Sequence, residues 1–172
     1  MDYVAQVLAQ RKAKDEAFRT QPWSPIPRHE RAAFAGLRYF DPDLAWRIAA
    51  AWEPAAVPKP LKVQTSTGEV RDYLDVGTLR MKTPAGEVAL HAYAGGGGEL
   101  FVPFRDATSA KETYGAGRYL DVEMPHGASA VVDFNLAYSP YCAYSEDFSC
   151  PFPPPENWLK VPIRAGEKSY HE

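Results

Sequence analysis

Cysteine is scarce in this chain, with only Cys142 and Cys150 among 172 residues, so no disulfide framework can hold the fold together. Long apolar runs are missing too: no window approaches the ~20 residues that a membrane-spanning helix needs. The opening MDYVAQVLAQRKAKDE has no apolar core and no small-residue cleavage site, which leads us to expect a cytoplasmic protein without a signal peptide, its thiols reduced. Nor is there an excess of positive charge. The net charge is −3, with acids and bases interspersed, and this argues against nucleic acid or an anionic membrane as partner. Phosphate-loop and serine-hydrolase signatures are also absent, since no Gly-Lys-Ser/Thr follows Gly95–Gly98 and no G-x-S-x-G elbow occurs.

Proline and glycine, by contrast, are plentiful at 16 and 12 residues, enough to interrupt long helices repeatedly. The length suits one domain, 1–172, with a helical segment over 1–36 and a β domain over 37–172. Val4, Val7, Leu8, Arg11, Asp15 and Phe18 recur at helical spacing, predicting an amphipathic helix over 3–19 that docks through an apolar stripe. Pro27 opens a second short helix through Phe34, stopped by Gly36. Residues 44–52 read as a short strand between Pro42 and Pro54. From Leu61 the chain alternates with period two, punctuated at Thr67-Gly68, Pro84–Gly86, Gly95–Gly98 and Pro125–Gly127. The expectation is a mainly β fold, an antiparallel barrel-like or strongly curved sheet with one or two N-terminal helices.

The densest chemistry lies between Phe101 and Lys168. Ser109 and Glu112 match an S-x-x-E capping box, a structural role for Ser109 at a helix start. Strands 117–124 and 129–136 read as a hairpin. Pairing apolar with apolar places Leu120 opposite Phe134 and Val122 opposite Val132. On the other face Tyr119 then meets Asn135 and Asp121 meets Asp133, a carboxylate pair that a shared proton, a cation or a ligand donor would have to bridge. A register shifted by one pairs Arg118 with Asn135 near Asp133, a plain polar cluster; both readings stand.

Cys142 and Cys150 admit metal ligation, a disulfide or buried thiols. Cys142 is also a candidate nucleophile, although no partner histidine is marked. His29, His91, His126 and His171 form no ligand-spaced pair, so no metal and no particular cofactor follows from the sequence. The stiff Pro153–Pro155 run should lie along the barrel, aim Glu156 and Asn157 into a pocket, and lead to an edge strand over 158–163.

SPI at Ser24, GLRYF at Gly36–Phe40, TSTG at Thr65–Gly68, PFRDATS at Pro103–Ser109, TYGAGRYLD at Thr113–Asp121, DFNLAYSPYCAY at Asp133–Tyr144, and CPFPPPENWL through AGEK together resemble the bacterial and archaeal domain of unknown function 1684. The resemblance spans nearly the whole chain. It departs mildly at Ala110, where the family usually has Gly, and at Ser139, where it tends to have Asn. It implies a fold and site candidates but no reaction, and it favours strand over helix for 44–52. The expected function is binding of a small molecule in a polar pocket near the C-terminal motifs. Arg118 would contact an anion there, beside Asp133, Asn135, Tyr138, Glu156 and Asn157. The alternatives are an enzyme using Asp121 or Asp133 as general acid–base, with or without a metal, or an interaction module that pairs with a partner or a second copy.

Overall fold

The computed structural model describes residues 2–171. Helix α1 spans Tyr3–Thr20; the Asp2 carboxylate caps it by accepting from Ala5 N at 2.8 Å, and Pro22 follows its end. The expected apolar stripe is only half realised. Val7 and Phe18 are buried, while Val4 and Leu8 are exposed. The rest of the docking face is polar, made of Tyr3, Arg11, Lys14 and Asp15. Pro27 leads into a 3₁₀ turn, Arg28–Ala33, rather than an α-helix.

Six antiparallel strands follow: β1 (Arg47–Gln64), β2 (Val70–Thr83), β3 (Gly86–Ala94), β4 (Leu100–Phe104), β5 (Arg118–Val122) and β6 (Ser129–Asp133). They form one strongly curved half-barrel sheet in the order β5-β4-β3-β2-β1-β6. The segment 44–52 divides: Leu44–Trp46 is a 3₁₀ turn capped by Asp43, and the strand begins at Arg47. Pro54 does not end that strand. β6 pairs with β1 only along Arg47–Ala51, and between Trp52, whose N donates to Ala128 O, and Gln64, whose O accepts from Phe152 N, no strand lies on that second edge, so Pro54, Pro58 and Pro60 need no partner there. A register shift between Pro54 and Lys59 bends β1 against β2. At the bend Gly77 is required, because a Cβ there would lie 2.6 Å from Glu53 O.

The expected hairpin of 117–124 with 129–136 does not form. β5 pairs with β4 (Val102 opposite Leu120) and β6 pairs with β1 (Ile48 opposite Val132), at opposite edges of the sheet. Alternation is satisfied either way, and pairing β6 with β1 also covers an otherwise open edge. Asp121 and Asp133 therefore never face each other, and Arg118 does not pair with Asn135. The half-barrel narrows instead through the chain after β6: Tyr119 N donates to Tyr138 O at 2.8 Å and Tyr138 N to Tyr119 O at 3.0 Å.

The concave face holds the main core, from Trp46 and Leu79 through Leu90 and Val102 to Leu120 and Phe134. On the other face an aromatic row runs Tyr73–Phe101–Tyr119–Tyr138, with centroids 5.8, 4.8 and 5.8 Å apart. Pro151 and Pro154 lie against that row. Pro155 leaves the extended conformation for a 3₁₀ turn through Asn157. Residues 158–163 add no sheet strand. They run beside 105–107 with a parallel bridge at Trp158, and Leu159 N donates to Arg105 O at 2.7 Å.

No helix starts at Ser109. The loop folds around Asp106, and Ala110 sits at φ 67°, the left-handed region, which breaks any helical run. Glu112 pairs with Arg164 at 3.2 Å instead of closing a capping box. Ala110→Gly should therefore stabilise the protein by about 0.5–1 kcal/mol, relief of the left-handed strain outweighing the added freedom of the unfolded chain. A rise in the urea midpoint at unchanged m-value would show it; a fall would mean that the alanine methyl group contributes more packing than its backbone costs.

Candidate functional site

The polar face of α1 meets three separated segments. Arg11 Nη1 donates to Phe40 O at 2.8 Å and Nη2 to Asn135 O at 3.3 Å, and its guanidinium lies 4.2 Å over the Tyr39 ring. One turn on, Lys14 Nζ pairs with Glu167 at 2.5 Å. Glu167 is 1% exposed and also accepts from the Tyr144 hydroxyl. The Ala-Gly-Glu-Lys segment reaches this place through Gly166, at φ +81°, where a Cβ would lie 2.7 Å from Ala137 O. Glu167 N then donates to Ala137 O, and Lys168 N to Arg38 O.

Asn135 is the joint of the site. Its Nδ2 donates to Asp43 O at 2.8 Å, Asp133 Oδ1 at 3.0 Å and Tyr3 Oη at 3.1 Å, while its Oδ1 accepts from Asp43 N at 2.9 Å. Tyr3 donates its own hydroxyl proton to Asp133. Burial is the first cause that holds the Tyr3 phenol above its ordinary range, with the Asp133 carboxylate adding to it.

Beside these groups lies an open cavity of about 180 Å³ whose wall includes Arg11, Lys14, Tyr39, Asn135, Tyr138 and Glu167, with Val7, Leu136 and Ala137 as its apolar part. Two polar atoms of the residues around it are buried without a hydrogen-bond partner among the described residues: Arg11 Nε and Tyr39 Oη. Burial lowers the Arg11 pKa, and burial followed by the charges of Glu167 and Asp15 raises that of Tyr39, which stays a neutral donor.

Of the residues expected at the site, Asn135 and Tyr138 line this cavity. Asp133 stands behind Asn135, and Asp121 behind Tyr138, accepting its hydroxyl at 2.7 Å. The others lie elsewhere. Arg118 is fully buried, its guanidinium donating to the carbonyls of Ile163, Ala165 and Glu167 and, at 3.5 Å, to Asp106. Asn157 is fully buried as a clip, accepting from His91 N at 2.8 Å and donating to His91 O and Pro103 O. Glu156 is exposed and accepts from Tyr93 Oη at 3.3 Å. Cys142 lies beside Cys150, away from the cavity. Arg11, Lys14, Tyr39 and Glu167 were not singled out by sequence, although Arg11 is a charged residue inside a helical stripe. Among the described residues no group of three or more His, Cys, Asp or Glu could hold a metal ion, and no helix is long and apolar enough to cross a membrane.

Residues 32–168 match the family described as "Protein of unknown function (DUF1684)". The chain belongs to this DUF1684 family. It is also 42% identical to an uncharacterized protein of Haloarcula marismortui whose solution NMR structure superposes with a TM-score of 0.75, covering 98% of this chain and 95% of that one. No curated protein matches the chain. The DUF1684 match begins after α1, so Tyr39, Asn135, Tyr138 and Glu167 fall inside it, while Arg11 and Lys14 come from the preceding helix.

Proposed function

We propose that this DUF1684 protein binds a small carboxylate with a short apolar body in the cavity between α1 and the Asn135–Tyr138 segment. The observation that carries the reading is the pair of unpartnered buried donors, Arg11 Nε–H and Tyr39 Oη–H, beside one cavity. An unsatisfied buried polar group costs about 1–3 kcal/mol, so an acceptor that enters recovers that amount at each. Both groups donate, and the guanidinium is cationic, which calls for an anionic acceptor. Val7, Leu136 and Ala137 suit the apolar remainder, and 180 Å³ limits its size. With this reading goes a cytoplasmic setting, in which the two neighbouring thiols are reduced at rest.

Native mass spectrometry of freshly purified protein, followed by thermal shift against short mono- and dicarboxylates, tests the proposal. A fitting ligand at about 100 times its Kd adds about 2.7 kcal/mol and raises Tm by roughly 5–10 °C. Arg11→Met and Tyr39→Phe should each abolish most of that shift while leaving the unliganded Tm within a few degrees. If no short carboxylate shifts the wild-type protein, or if Arg11→Met responds like wild type, the proposal fails.

A further inference from the structure

Cys142 and Cys150 lie outside the cavity, in a separate arrangement that does not depend on the reading above. Cys142 sits in the 3₁₀ turn Tyr141–Ala143 and is half-buried; Cys150 is 8% exposed. Cys142 N donates to Cys150 Sγ at 3.3 Å, so the two cysteines are direct neighbours. Cys150 is fixed from the β1–β2 turn: its N donates to Ser66 Oγ at 3.0 Å, and Ser66 N donates to Cys150 O at 2.9 Å. The Tyr114 hydroxyl lies 3.5 Å from Cys142 Sγ. Tyr114 also lines an open groove that brings solvent to this side of the molecule.

We propose that Cys142 and Cys150 form a reactive dithiol, Cys142 being the thiol oxidised first and Cys150 the resolving thiol, with a small hydroperoxide as oxidant. The Cys142 thiolate attacks one peroxide oxygen and the O–O bond breaks. Cys142 becomes a sulfenic acid, and the leaving oxygen takes up the proton that the thiol had lost, departing as water or an alcohol. Cys150 Sγ then attacks the sulfenic sulfur; the S–S bond forms, the S–O bond breaks, and water leaves with the Cys150 proton. Two thiols have lost two electrons to one peroxide.

The roles follow from the surroundings. Cys142 is the more open sulfur and has donors around it, the Cys150 thiol and the Tyr114 hydroxyl. These donors, the Cys150 thiol first, hold its pKa down to about 6. Cys150 is pushed the other way by the neighbouring Cys142 and by burial, and so keeps its proton. The other titratable groups facing the pair are Tyr73 and Arg71 on β2 and Tyr119 on β5. The tyrosines are held neutral by burial, and Arg71 is tied to Ser149 O at 2.7 Å.

The test uses the whole reduced protein. A few equivalents of hydrogen peroxide should lower the intact mass by two hydrogens, abolish both free thiols and give a peptide linked Cys142–Cys150, all reversed by dithiothreitol. Iodoacetamide should label Cys142 about tenfold faster than free cysteine at pH 6, where the larger thiolate fraction outweighs the weaker nucleophile. In Cys150→Ser, dimedone should trap a sulfenic acid at Cys142. The proposal is overturned if the wild-type protein keeps both thiols, gains oxygen at Cys150 before Cys142, or labels Cys142 no faster than free cysteine at pH 6. These wild-type measurements hold even if the variant does not fold.

Discussion

Replacing Asp106 with alanine should destabilise the protein by about 3–5 kcal/mol, because it leaves a buried guanidinium without the carboxylate it pairs with. Arg118 is 0% exposed and points from β5 into the end of the core, over Phe104. Three backbone carbonyls accept from it, but none carries a formal charge; Asp106 does, at 3.5 Å. The same carboxylate accepts from Ile163 N at 2.6 Å and Thr108 Oγ1 at 2.8 Å, so the C-terminal segment loses an anchor in the variant as well. Urea unfolding of Asp106→Ala, of Asp106→Asn and of each combined with Arg118→Met would separate the terms. Asparagine keeps a hydrogen-bond acceptor and should lose less than alanine, and Arg118→Met should partly rescue Asp106→Ala. A loss under about 1 kcal/mol would mean that water reaches Arg118 and that its burial is not what fixes the loop.

Alkaline solution should unfold the protein cooperatively at a pH above the ordinary phenol range. Burial raises the pKa of all ten tyrosines, Tyr144 most firmly, since the Glu167 carboxylate also opposes its ionisation. The sign follows from which state binds more protons. Above about pH 10 the unfolded chain releases phenol protons that the folded chain retains, so the stabilisation is complete below pH 10 and is lost as pH rises. Each retained proton costs about 1.4 kcal/mol per pH unit. Tyr93, Tyr119 and Tyr144, at 1%, 7% and 2% exposure, are the firmest cases. Together they give a slope of about 4 kcal/mol per pH unit, against a usual total stability of 5–15 kcal/mol. Phenolate absorbance and far-ultraviolet circular dichroism should therefore change together, one to three pH units above 10 by this slope. A gradual phenolate titration centred near pH 10 with the fold intact would refute the burial of these rings.

Local signals carried much of the fold. Asp2 and the helical spacing that follows determine α1; Gly68, Pro84-Ala85 and the Gly95–Gly98 tip determine the hairpins joining β1 to β4; period-two alternation determines which side chains of β2 to β5 enter the core. Each depends on residues close in sequence, where dihedral preference and side-chain period act directly. Ala110 shows the limit of such reading: Ser109 and Glu112 carry a helix-start pattern, yet the loop's attachment to Asp106 holds Ala110 in a conformation no helix accepts.

Tertiary structure alone decided which strands are neighbours. Alternation fixes the face of a strand and not its partner, so Leu120 and Val132 are equally content in a hairpin or at opposite edges, and the choice falls to the open edge of β1. The cavity belongs to the same category. Arg11, Tyr39, Asn135 and Glu167 come from four separate parts of the chain and meet because α1, the Tyr39–Glu167 bridge and the turn after β6 converge on one side of the half-barrel. Sequence set the chemistry each residue brings, and only the closing of the long-range contacts, which no local preference encodes, set which of them share a wall.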